Sequence, residues 1–161
     1  DLVLPMIKLH EKDGARHDAG WSAMRDILLR RADRSVFASE EGIARLIEHS
    51  GGHPRELLIL LKLGCEFTEE DQIGPNHIES AIKQLASEYR RFLEPDDYAL
   101  LARIDNDEIH AGNDERTRRL LYNLALLEYN DASWRRSHPV VRTLEGYQRA
   151  RAALSAAAAG R

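Results

Sequence analysis

One cysteine, Cys65, is all the chain contains, so no internal disulfide can form. A lone thiol suits a reducing compartment, and the expected location is cytoplasmic. Cys65 follows the apolar run Leu57-Leu58-Ile59-Leu60-Leu61 in one predicted helix, which makes an inert, packed thiol the expectation. No apolar run approaches the roughly 20 residues that span a bilayer. No basic-then-apolar leader opens the sequence. Catalytic signatures are missing too. There is no Gly-x-Ser-x-Gly, no Cys-x-x-Cys and no Gly-Lys-Ser/Thr phosphate loop, so this stretch by itself is expected to hydrolyse nothing. No metal site is expected. His49 and His53 are four apart but separated by Gly51-Gly52, which breaks the helical pairing of ligands. Asp105-Asn106-Asp107 begins like a calcium loop, but its glycine, Gly112, comes too late.

Charge excludes little. The 161 residues carry a formal net charge of −4, too small to drive the chain globally onto nucleic acid or a membrane. Residues 1–88 hold 11 Lys/Arg against 16 Asp/Glu, and residues 89–161 hold 12 against 11. The second part is therefore slightly basic. The first residue is Asp1 rather than Met, which fits a piece of a longer protein.

What is present is mostly helix signal. Leu2–Leu9 is short and apolar with an internal proline, so it reads as an edge strand or an extended connector. His10–Gly20 reads as a loop. Trp21, Met24, Ile27 and Leu28 recur at helical spacing. Ser39 caps a helix that buries Ile43, Leu46 and Ile47 and stops at Gly51-Gly52. Pro54 opens the next helix, which runs to about Phe67 and is too apolar for a surface element. Asn76 and Glu79 suggest a capping box ahead of a helix with the stripe Ile78, Ile82, Leu85, Tyr89 and Phe92. Residues 21–93 thus predict a four-helix bundle.

A second module is expected from about residue 94. Pro95 starts a helix with Tyr98, Leu101 and Ile104 inward. At most a turn or two of helix surrounds Ile109. Asn113 is expected to cap a helix on which Leu120, Leu121, Leu124 and Leu127 face the core. Leu126–Tyr129 and Trp134–His138 flank the turn Asn130–Ser133 as a small β-hairpin. A last helix fades into the alanine-rich residues 151–161. Trp21 and Trp134 are expected to anchor the two cores. The fold class is mainly α, a four-helix bundle followed by a winged-helix order of helix, short helix, helix and hairpin.

The turn Gly51-Gly52-His53-Pro54-Arg55, within a four-helix bundle, resembles the second sensor of AAA+ ATPases. The order of modules resembles the origin-recognition and STAND types, in which a winged helix follows the helical lid. The resemblance implies that residues 1–20 connect to a missing ATPase core, residues 21–93 are the lid and residues 94–150 the winged helix. It implies ATP or ADP as ligand, with Mg2+ held by the core, and an intact parent that is an ATPase. Pro54 would pack near the adenine and Arg55 would approach the phosphates. Ser137-His138-Pro139 resembles the Met-His-Asp motif of STAND winged helices, so His138 would contact the diphosphate; serine and proline here replace methionine and aspartate. Partners would be the upstream core, with self-association or an effector domain as further options.

Other readings stand beside these. Arg55 could pair with Glu56 or Glu48 on a solvated face, and His138 could cap the last helix. A winged-helix DNA-binding module would use Arg116, Arg118 and Arg119 on the helix from Asn113 and Arg135 and Arg136 on the hairpin to reach phosphates. Asp114 and Glu115 adjoin the first three and favour a solvated face. A protein-interaction adaptor is the third class.

Overall fold

The computed structural model describes residues 6–110, 112–129 and 134–160. Residues 2–5 of the expected edge strand and the hairpin turn 130–133 lie outside them. The described residues form seven α-helices and one two-stranded antiparallel sheet. Two compact units divide the chain, Met6–Leu85 and the part from Ala86 onward. The division falls between Leu85 and Ala86, inside a helix.

In the first unit, residues 6–17 precede the first helix. They are irregular and extended, and Leu9 is buried in the core. α1 (Asp18–Leu29) follows, with Trp21, Met24 and Leu28 inward. α2 (Glu40–His49) begins at Ser39, whose Oγ accepts from the Gly42 amide at 3.1 Å. Its buried face is Ile43, Leu46 and Ile47. α3 (Pro54–Phe67) packs against both α1 and α2. Leu57, Leu60, Leu61 and Gly64 are its buried face, while Leu58, Ile59 and Leu63 are half-buried and Phe67 is 43% exposed. The expectation of a helix buried all round is therefore corrected. Five consecutive apolar residues sweep through more than a full turn, and the bundle covers one face of them. Cys65 lies on the uncovered side and is exposed, not packed.

α4 (Pro75–Arg90) starts one residue before the expected cap. Proline suits the first helical position because it has no N–H to leave unsatisfied. His77 Nδ1 then accepts from the Gly74 amide at 3.0 Å, and Glu79 is turned to Arg45 at 2.6 Å. The Asn76/Glu79 capping box is not made. The loops before α2 and α4 are joined by a parallel bridge in which the Ile73 amide donates to Val36 O at 2.7 Å and the Ala38 amide to Ile73 O at 3.1 Å.

In the second unit, α5 (Pro95–Asp105) buries Tyr98, Leu101 and Ile104. α6 (Glu115–Tyr122) is capped by Asp114 rather than Asn113, with Oδ1 accepting from the Thr117 amide at 3.0 Å. The segment between them is irregular, and no helix surrounds Ile109 among the described residues. α6 also ends earlier than expected. Leu124 adopts φ 60°, which turns the chain, so Leu127 lies on a strand and not on the helix. That strand, β1 (Leu126–Tyr129), pairs with β2 (Trp134–Ser137) in the register Leu126 to Ser137 and Tyr129 to Trp134. α7 (Glu145–Ala159) runs unbroken through the alanine-rich residues. It approaches α5 closely enough that a Cβ on Gly146 would stand 2.5 Å from the Tyr98 ring.

Candidate functional site

The turn between α2 and α3 is built from its own side chains. Gly51 and Gly52 take φ 62° and 81°, the left-handed region where a side chain is costly. Ser50 is fully buried beneath them; its Oγ donates to Ile47 O at 2.6 Å and accepts from the Gly52 amide at 3.2 Å. The His53 amide donates to Ser50 O at 3.1 Å. His53 caps α3, because its Nδ1 accepts from the Arg55 amide at 3.1 Å. An accepting Nδ1 is a neutral one. Burial indeed pushes the His53 pKa down, opposed by Glu56 and assisted by Arg55. His49, at the end of α2, is also buried and its pKa also lowered, chiefly by desolvation. Its Nδ1 donates to Arg45 O at 2.9 Å.

Pro54 occupies the first turn of α3 and is half-buried, and Arg55 beside it is exposed. The Arg55 guanidinium forms no ion pair with a described carboxylate, whether Glu48 or Glu56. Glu48 is instead held by His10 Nε2 at 2.8 Å. A fixed cation thus stands at a helix N-terminus whose first-turn amides favour anions.

The second unit treats its candidates differently. His138 is 0% exposed. Its amide donates to Ala125 O at 2.9 Å, its Nδ1 accepts from the Val140 amide at 3.1 Å, and its ring lies 5.0 Å from that of Tyr89. It caps the turn leading to α7 from inside the core. Contact with a diphosphate would need this side chain to leave that position.

Four of the five arginines of the nucleic-acid reading are engaged within the unit. Arg119 holds the fully buried Asp97 carboxylate at 2.6 and 2.8 Å, and Arg116 reaches Asp97 and Asp96 at 3.5 Å each. Arg135 pairs with Glu128 at 2.7 Å, and Arg136 with Asp107 at 3.2 Å. Arg136 also lies 5.5 Å from the Trp134 ring centre, and Trp134 stacks on Tyr129 at 4.3 Å. Arg118 points to solvent, one turn from Tyr122, which is 88% exposed.

Two polar centres escape a reading of the sequence. Asp97 is the anion that gathers α6 onto α5. Asp105 is the other, with a side chain 7% exposed. It accepts from the Ser137 amide at 2.8 Å, the Ser137 hydroxyl, and the Tyr147 hydroxyl at 2.6 Å. Arg142 Nε donates to Ser137 Oγ at 2.9 Å and closes the network. Burial and the neighbouring Asp105 charge push the Tyr147 pKa up to about 12. Asp97 has one local partner, the Glu94 amide at 2.9 Å in the capping box of α5, but its arginines and the partners of Asp105 lie 19–42 residues away and leave no local signal. In the first unit, α1 and α2 also border an open cleft of ≈ 430 Å³ floored by Trp21, Ile43 and Ile47. The arginines on its rim are paired: Arg16 with Asp18, and Arg25 with Glu40.

No group of three or more potential metal ligands occurs among the described residues, and none of their helices is long and apolar enough to cross a membrane. No protein-family model matches the chain, and no curated protein or solved structure matches it.

Proposed function

We propose that the chain is the nucleotide-reading helical region of an ATP-dependent switch, its first unit a lid and its second a winged-helix-like module. The observation that carries this reading is Arg55. It is an exposed guanidinium with no ion-pair partner among the described residues, at the tip of α3. It is raised on a turn that two left-handed glycines, a buried serine and a histidine cap hold in place. A guanidinium supplies a permanent charge and a planar fork of donors suited to phosphate oxygens. A contact made to a terminal phosphate and lost without it would bias a lid between two positions. Pro54, beside it, would border the base. The phosphate-binding loop and its Mg2+ belong, on this reading, to a core upstream.

The test is made on a chain that includes that core. Arg55→Ala is expected to reduce the preference for ATP over ADP about tenfold, the size of one lost charge-assisted contact. Arg55→Lys is expected to restore part of it. Unchanged nucleotide affinities and turnover in Arg55→Ala would remove the proposal. His138 is assigned to the core of the second unit, where it caps a turn, and not to the ligand.

A further inference from the structure

The backbone of residues 7 and 8 is gripped between two glycines. A Cβ on Gly52 would stand 1.8 Å from Ile7 O, and a Cβ on Gly20 would stand 1.8 Å from Lys8 O. Neither carbonyl can swing aside as a flexible side-chain end could. The Ile7 amide donates to Gly52 O at 3.0 Å, so the contact is bonded as well as close. Beyond the slot the segment is fastened again. Leu9 O accepts from the His17 amide and from Trp21 Nε1, both at 2.9 Å. His10 and Arg16 form an isolated antiparallel bridge, and His10 Nε2 reaches Glu48 on α2 at 2.8 Å.

Gly52 is thus shared. Its carbonyl receives the entering segment, while its chain neighbour His53 caps α3 and holds the Arg55 amide. We infer that residues 6–17 form a strap whose seating sets the conformation of the α2–α3 turn, so that displacing the strap loosens the tip of α3, and the reverse. The requirement is mutual because the slot has no slack: backbone meets backbone on both sides. This device does not depend on what Arg55 binds.

Gly20→Ala tests it. Alanine in place of glycine within a helix is ordinarily favourable, so a loosened structure in this variant reports the slot and not a weakened α1. The expected result is hydrogen exchange accelerated about tenfold or more at the Ile7, His53 and Arg55 amides, with most helical content kept. Trp21 emission should shift to the red as its indole loses Leu9 O. Gly74→Ala lies outside the strap, and its added carbon would meet nothing nearer than the His77 ring at 3.7 Å, so it is expected to leave those amides unchanged. Faster exchange at Ile7 alone, with His53 and Arg55 still protected, would overturn the coupling. No change at any of the three would overturn the slot itself. Should Gly20→Ala fail to fold, Ile7→Pro in the wild-type background removes the donor to Gly52 O, together with the isoleucine side chain. The same acceleration at His53 and Arg55 is then expected, and its absence counts against the proposal. None of these readouts involves nucleotide, so the strap and the sensor can fail separately.

Discussion

At the scale of single residues, the second unit depends on two buried carboxylates more than on any exposed group. Asp105 satisfies two hydroxyls and one amide drawn from β2 and α7. Replacing it with alanine strands those donors in a site with little access to water, and each stranded donor costs about 1–3 kcal/mol. Asp105→Ala should therefore destabilise the second unit by roughly 3–5 kcal/mol, near the upper range for single substitutions. Urea unfolding followed by Trp134 emission in a Trp21→Phe background measures this. Tyr147→Phe removes one donor and leaves the carboxylate otherwise served, so about 1 kcal/mol is expected. Equal losses for the two variants would show that Tyr147, not the carboxylate, holds the network together.

At the scale of elements, the N-cap of α3 makes the first unit sensitive to acid. His53 accepts a hydrogen bond through Nδ1, and a proton there removes the cap. Burial holds the folded pKa of His53 below that of an ordinary histidine, and that of His49 below it as well. Between the folded and unfolded pKa values the unfolded chain binds more protons, so stability rises with pH in that window. The contribution is complete above about 6.5 and is lost as pH falls below it. Urea midpoints followed by Trp21 in a Trp134→Phe background are expected to drop from pH 7.5 to pH 5.5, values that bracket an ordinary histidine. His53→Asn keeps a capping acceptor that does not titrate. It should flatten part of that dependence, and an undiminished slope would assign the effect to His49. The same helix shows what the sequence made legible. Ser39, Gly51-Gly52, Pro54 and Pro95 act within a few residues of themselves, and the boundaries they mark agree with the structure. Caps with competitors nearby went astray: Pro75 pre-empted Asn76, and Asp114 took the place of Asn113. The burial of α3 could not be read, because a run of five apolar residues does not say which face meets a neighbour. Arg55 was visible as a cation at a helix start. Asp97 and Asp105 were not, since their worth lies in partners distant in sequence.

At the scale of the whole molecule, charge that looks available in the sequence is largely consumed inside the second unit. A near-neutral, slightly basic region can still bind duplex DNA if its arginines face outward together. Here Arg116, Arg119, Arg135 and Arg136 are tied to Asp97, Glu128 and Asp107, and Arg118, exposed, is the one of the five with no ion pair among the described residues. A phosphate contact by the paired arginines would compete with these carboxylates. One unpaired arginine in that set of five corresponds to a salt slope of about −0.9 from the set, too shallow for appreciable affinity at ordinary ionic strength. The chain is therefore expected to leave random duplex unshifted in fluorescence anisotropy at about 100 mM salt, and Arg118→Ala to change nothing. Glu128→Gln, which removes the charge paired with Arg135 on the hairpin, is the informative contrast. A gain of binding in that variant alone would show that internal pairing is what silences the arginines. Tight binding by the wild-type chain with a slope of several units would mean that these pairs open on DNA. The nucleic-acid reading would then displace the nucleotide switch as the account of the second unit.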